Sequence, residues 1–325
     1  MRFIDLIGRF SSRLIPVKGR INNLAGSSLA LFLSLREAPF LMVENTEEQA
    51  RRLVEDTAFF ARLLKNDLRH CFLPSPDGSD AAGERANIIY KFFIEKDQSA
   101  VITSNDSMGH PLWKPDALKA EALRVKVSDE LERADAEEWL KSIGYARVPL
   151  VAGKGQYSIR GFILDIFPSS GDNPVRVEFF GDVIENIRIF DIETQRSIAD
   201  IDEVTIMPAV EPEDGEAPEG LFSGIPTLYS SAVEEIPEGA VVLSRHSISG
   251  EGEDAGLFPM GGLGILQEER EGVYGLTDAL KRLSPEVMTL IVSSSHGQAE
   301  RIKQVLMDGG IVAPVLDFVE VPDYG

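Results

Sequence analysis

The sequence has a single cysteine, Cys71, among 325 residues. A lone thiol forms neither an internal disulfide nor a cysteine-based zinc site, and it is compatible with a reducing compartment, so the chain reads as cytoplasmic. Its four histidines, His70, His110, His246 and His296, lie far apart and make no H-E-x-x-H or comparable ligand set. No metal site is expected. No apolar run is long enough to cross a membrane. Basic residues are also short in supply: 32 Lys and Arg against 53 Asp and Glu leave a formal charge of −21. That excludes a broad phosphate-binding surface, because DNA affinity needs clustered cations that displace counterions. Such acidity suits contact with basic patches on other proteins and equally serves solubility.

What is present is enough chain for two or three ordinary domains. Met1 to Leu14 sets Phe3, Leu6, Ile7, Phe10 and Leu14 between Arg2, Arg9 and Arg13, the pattern of a short amphipathic helix rather than a targeting peptide. Up to about residue 118, short apolar runs at Pro39–Val43, Cys71–Leu73 and Ala100–Thr103 alternate with helical patterns. That alternation predicts a parallel α/β sheet. The best helix runs from Glu47 to Leu64, with Ala50, Leu53, Val54, Phe60, Ala61 and Leu64 on one stripe and a capping box at Thr46 and Gln49.

Asn23-Leu-Ala-Gly-Ser-Ser-Leu-Ala30 occupies the place where a nucleotide-binding α/β domain carries G-x-x-x-x-G-K-[ST]. Asn23 and Ser28 stand where glycines would let backbone amides close on phosphates; Leu29 stands for the lysine and Ala30 for the magnesium-binding hydroxyl. No ATP binding is expected; Gly26 and the serines are left to cap a helix. Leu123–Glu130 ends in Asp-Glu as a Walker B strand does, but Arg124 and Lys126 alternate within it. It reads instead as a half-exposed strand opening a second domain, followed by a helix from Asp135 to Ile143 ending at Gly144.

Tyr145 to Pro208 organises the rest. Gln156–Pro168 and Val175–Glu185 read as an antiparallel hairpin set, strand-like runs separated by the turn-forming Ser169–Pro174, so two strands and a loop are implied. In the second run Val175, Val177 and Phe179 point one way and Arg176, Glu178 and Phe180 the other. Arginine beside an aromatic is the composition of a binding hot spot. A solvated strand face, with Phe180 plugging the end of a local core, has the same composition. Asp165 has no second acid at a defined spacing, which points to a structural hydrogen-bonding role rather than catalysis.

The strings Gly144-Tyr-Ala-Arg-Val148, Gln156-Tyr-Ser-Ile-Arg-Gly161, Leu164-Asp-Ile-Phe-Pro168, Arg176-Val-Glu-Phe-Phe-Gly-Asp182 and Thr194-Gln-Arg-Ser197 together resemble the module shared by UvrB and bacterial transcription-repair coupling factors. The resemblance implies a domain that binds UvrA, with Arg160, Arg176 and Phe180 as contacts: guanidinium groups on partner carboxylates and the ring in an apolar pocket. The lost phosphate-binding chemistry at Asn23, Gly26, Ser28, Leu29 and Ala30 resembles the coupling factor rather than UvrB.

Beyond Pro208, Glu211–Glu219 is an acidic, Pro-rich and Gly-rich linker or loop. Strand-like Ala240–Leu243, a Gly-rich stretch from Gly250 to Gly264, a helix around Leu276–Leu283, a strand at Met288–Val292 and a helix from Gln298 to Met307 then read as another α/β unit. Ser293 to Ser295 fit a helix cap. The expected architecture is α/β: a degenerate P-loop, UvrB-like and RecA-like domain (1–118), an inserted mainly antiparallel α+β UvrA-binding domain (119–208), a linker and candidate completing part of the first domain (209–250), and a small α/β domain (251–325). No sequence resembles the RNA-polymerase-binding domain or the translocase motor, which suggests an N-terminal fragment, with a standalone UvrB-like paralogue as the alternative. The resemblance implies a non-catalytic UvrA-recruitment module in nucleotide excision repair, without cofactor. ATP and magnesium, DNA and RNA polymerase would be engaged by regions absent here, and the full-length protein's own C-terminal domain would mask the UvrA site. The alternatives are a UvrB-like ATP-dependent helicase subunit and a face used only within its own chain.

Overall fold

The computed structural model describes residues 19–22, 24, 28–66, 68–77, 80–97, 99–244, 253–254, 291–293, 296–311 and 315–317. The amphipathic pattern at Met1–Leu14, Asn23 and Gly26 of the altered loop, His246, the Gly-rich stretch, the helix around Leu276–Leu283, and Ser294 and Ser295 lie outside them. The chain divides into two compact units, 1–38 with 52–70 and 227–325, and 39–51 with 71–226.

In the first unit, β1 (Arg20–Asn22) is followed by α1 (Ser28–Ser34), which buries Leu29, Ala30, Phe32 and Leu33. β1 pairs in parallel with β14 (Val241–Leu243), which pairs in parallel with β13 (Thr227–Ser230). β15 (Glu253–Asp254) lies on the other side of β1. β13 was not anticipated: Leu228 and Tyr229 are too short an apolar run to register beside the acidic, Pro-rich segment before them. Further along, β16 (Ile291–Ser293) and β17 (Val315–Asp317) are parallel. The helix between them (His296–Asp308) packs on both and buries Ile302 and Leu306.

In the second unit, β2 (Phe40–Glu44) and β4 (Ala100–Ser104) are parallel, in register from Phe40↔Ala100 to Glu44↔Ser104, and every residue of both is buried. β3 (His70–Leu73) lies beside β4, and the Thr103 hydroxyl donates to Leu73 O at 2.8 Å. This is the nearly continuous apolar content of a covered parallel strand. α2 (Glu47–Leu64), which belongs to the first unit from Arg52 on, has the bounds its periodicity predicts. The capping box is reciprocal: Gln49 N–H donates to Thr46 Oγ1 (3.3 Å) and Thr46 N–H to Gln49 Oε1 (3.2 Å). α3 (Ala81–Ile89) runs into one π-helical turn, Tyr90–Ile94, and α4 (Pro115–Glu121) leads into the segment that carries the candidate site.

That segment opens and closes on itself. β5 (Leu123–Lys126) and β12 (Glu203–Ile206) are antiparallel neighbours, Leu123 opposite Ile206 and Lys126 opposite Glu203. Between them lie α5 (Arg133–Ser142) and a six-stranded sheet of β6 (Ala146–Arg147), β7 (Gln156–Arg160), β8 (Ile163–Phe167), β9 (Val175–Phe180), β10 (Val183–Phe190) and β11 (Ser197–Ile201). Spatial order follows chain order, antiparallel except for β6 with β7. Leu164, Ile166, Val175, Val177, Phe179, Ile184 and Ile187 face α5 residues Ala136 and Leu140 in one core.

The two strand-like runs are each a hairpin, which corrects the expectation of two strands and a loop. Gly161 (φ +61°) and Gly181 (φ +65°) open two-residue turns between Arg160 and Ile163 and between Phe180 and Val183. A glycine at positive φ in the first turn position matches the right-handed twist of the flanking strands.

The module is seated closely on α3. A Cβ on Gly83 would stand 2.3 Å from Ser169 Oγ, so only glycine admits this approach. The Tyr145 hydroxyl accepts from Ser169 N–H (2.8 Å) and donates to Met207 O (3.0 Å), tying the β8–β9 loop to the exit strand. Arg85 of α3 is buried; it donates to Pro74, His110 and Pro111 carbonyls and to Ser107 Oγ, and pairs through Nε with Glu211 at 3.0 Å. Burial lowers its pKa, and the Glu211 charge opposes that shift.

Candidate protein-docking face

The alternation along β9 is as the sequence predicts: Val175, Val177 and Phe179 are buried, Arg176 and Glu178 half-buried and Phe180 exposed. Register carries that polarity across the sheet. Ser158, Asp165, Arg176, Arg188 and Asp200 stand directly opposite one another, one from each of β7 to β11. Two arginines opposite each other repel unless each finds a carboxylate. Arg176 turns to Asp165, while Arg188 Nε turns to Asp200 at 3.0 Å and Nη1 to Glu178 at 3.3 Å.

Asp165 is the hub. Its carboxylate is 1% exposed and accepts from Arg176 Nε on Oδ1 (2.7 Å), from Arg176 Nη2 on Oδ2 (3.0 Å) and from Arg160 Nη2 on Oδ2 (2.6 Å). The structural hydrogen-bonding role expected of Asp165 is what the geometry shows. Segment 149–151 and turn 191–196 cover the hub. Ser158 Oγ donates to Pro149 O, Gln195 Nε2 to Val151 O, and Arg176 Nη1 to Gln195 O. Arg176 also lies over the buried Phe190 ring at 4.8 Å, and hydrogen bonding to Asp165 raises its pKa above the ordinary arginine value.

The three predicted contacts therefore separate. Arg160 and Arg176 come together on one carboxylate, but the Arg160 side chain is 49% exposed and the Arg176 side chain 15%. Arg160 keeps donors free for a partner on its solvent side; Arg176 spends its fork inside the molecule. Phe180 is 78% exposed, which removes the reading in which it plugs a core. It projects from the same face as Arg176, four residues and about 13 Å along β9 at the usual strand rise.

Sequence reasoning missed two neighbours. Phe162, second residue of the β7–β8 turn, is 59% exposed. Its signal was present: Arg160-Gly-Phe-Ile163 between alternating runs is a two-residue turn that places the aromatic at the tip. Arg133 had no local signal; it reaches the tips from α5, with Cζ 4.7 Å from the Phe162 ring centroid. Among the described residues no group of three or more His, Cys, Asp or Glu could hold a metal, and no helix is long and apolar enough to cross a membrane.

The segment is thus a small α+β module, closed by its own entry and exit strands, with a charged sheet face and exposed aromatics at its hairpin tips. Residues 123–211 match the family model of the UvrB interaction domain, which bears out the resemblance carried by the motifs. Around that segment the chain is similar to transcription-repair-coupling factors. It is 32% identical to that of Myxococcus xanthus over 198 residues, 57% of this chain and 16% of the relative. It is 28% identical to that of Escherichia coli strain K12 over 209 residues, 61% and 18% respectively. With the Bacillus subtilis factor it shares 36% over 112 residues, 33% and 10%. The chain thus spans less than a fifth of the length of these curated relatives.

Proposed function

We propose that this chain is a non-catalytic recruitment region of a transcription-repair coupling factor, and that the outer face of residues 123–211 binds UvrA in nucleotide excision repair. The observation that carries the reading is the Arg160–Asp165–Arg176 cluster beside the projecting Phe180 in a segment matched by an interaction-domain family. An exposed guanidinium and an exposed ring suit a partner pocket that is apolar within and carboxylate-rimmed. Arg160 and Phe180 are direct contacts; Arg176 supports them by holding Asp165. In the whole protein an ATP-driven translocase would displace stalled RNA polymerase, and its C-terminal domain would mask this face until engagement. The domain bearing Leu29 and Ala30, buried in α1 where a phosphate-binding lysine and hydroxyl would stand, would act as a UvrB-like scaffold without nucleotide.

The test is calorimetric titration of the chain with UvrA, comparing wild type with Arg160→Ala and Phe180→Ala. Saturable wild-type binding that each folded variant weakens about tenfold or more is expected, at the level of interface hot spots. Unchanged binding by both variants would defeat the assignment of this face.

A further inference from the structure

The two hairpin tips stand at the same end of the sheet, and they are fastened together. Phe179 N–H donates to Phe162 O at 2.9 Å, linking the β7–β8 turn to the end of β9. Arg133 adds a second tie: its guanidinium lies over the Phe162 ring, 4.7 Å from the centroid, and 5.9 Å from that of Phe179, while Nη1 donates to Gly181 O at 3.2 Å. One side chain thus spans both turns. The segment before α5 braces the second tip from the side, Ser128 and Leu131 N–H donating to Ile184 and Asp182 carbonyls and Ile184 N–H to Asp129 O, all at 2.8–2.9 Å. Backbone freedom at the tips is therefore already spent, yet Phe162, Phe180 and Val183 remain exposed. Of the large exposed apolar side chains among the described residues, these three share one edge of one module.

We propose that Phe162 is a second aromatic anchor for the partner and that Arg133 is a positioning residue that holds its ring at the end of the sheet from which Phe180 also projects. The inference rests on the reading of this face as the UvrA-binding site and extends that site from the Asp165 cluster over the tip of the sheet. A ring held by a cation on one face and open to solvent on the other loses little freedom on docking, so its burial converts to affinity more fully than that of a mobile side chain. The occupant is a UvrA surface with one apolar groove long enough for two rings. The Arg133 charge favours carboxylates along its rim.

UvrA is titrated with wild type, Phe180→Ala, Phe162→Ala, Phe162→Leu, Arg133→Ala and the Phe162→Ala/Arg133→Ala double variant, each with its thermal melt. Phe162→Ala is expected to weaken binding about tenfold with an unchanged melt, and Phe162→Leu to recover most of the loss. Arg133→Ala should weaken binding less, and the double variant should bind no worse than Phe162→Ala alone, since a positioning effect disappears with the ring it positions. Should Phe162→Ala fail to fold, Phe162→Ser repeats the test, because an exposed turn position accepts a small polar side chain. If Phe180→Ala loses binding while Phe162→Ala matches wild type, the second anchor is overturned and the proposed function stands. Additive losses from Phe162→Ala and Arg133→Ala overturn the positioning role. Absence of wild-type binding overturns the inference together with the reading beneath it.

Discussion

Replacing Asp165 by asparagine tests the hub while nearly preserving its shape. The carboxylate accepts three hydrogen bonds, two from Arg176 and one from Arg160, and is 1% exposed. An amide offers one oxygen and one NH2 group in the same plane. With the NH2 at the Oδ2 position it meets Arg176 Nη2 and Arg160 Nη2; flipped, it meets Arg176 Nε. Either way a donor faces a donor and the compensating charge is gone. Removing one partner of a buried ion pair costs about 3–5 kcal/mol. Arg160, half-exposed, can swing into water and adds at most about 1 kcal/mol. Arg176 keeps its stacking on Phe190 and its bond to Gln195 O, so the lower end, about 3 kcal/mol, is expected. Urea unfolding of the chain should show a lower midpoint with an unchanged slope for Asp165→Asn. Arg176→Ala should behave similarly and Arg160→Ala should stay within about 1 kcal/mol of wild type. An Asp165→Asn midpoint indistinguishable from wild type, or an Arg160→Ala loss as large as that of Arg176→Ala, would refute the assignment of Arg176 as the buried partner.

Two further predictions concern the seat of the module. Gly83→Ala places a methyl 2.3 Å from Ser169 Oγ and 2.6 Å from its carbonyl carbon; overpacking of this kind costs about 1–3 kcal/mol, read as a lower thermal midpoint, and an unchanged midpoint would show that the α3–Ser169 contact opens freely. Tyr145→Phe leaves Ser169 N–H without its buried acceptor and should destabilise by about 1–3 kcal/mol in denaturant, whereas a neutral result would mean that water takes over as acceptor.

The legible parts of the sequence were those set by local pattern. The capping box and apolar stripe of α2 gave both its ends, because a 3.6-residue period and a reciprocal cap involve only near neighbours. The alternation of β9 separated buried from outward residues for the same reason. Pattern failed where a short element draws its meaning from distant partners. The runs around Gly161 and Gly181 looked continuous because a two-residue turn barely interrupts an apolar run, and β13 was too brief to stand out until β14 paired with it. Arg160 and Arg176 look alike in sequence; only the cover supplied by segment 149–151 and Gln195 makes one of them a buried partner and leaves the other at the surface.

Sequence by itself determined the composition of this face, an arginine, an acid and an aromatic at fixed places on alternating strands, and the motif spacing that ties it to a family of interaction domains. The tertiary structure decided which of those groups are spent internally and which remain for a partner. Strand register set Asp165 against Arg176, two glycine turns carried Phe162 and Phe180 to the same end of the sheet, and α5 brought Arg133 across both turns. The reason is physical. Side-chain direction follows the backbone locally, whereas burial, pairing and desolvation depend on residues far away in the chain.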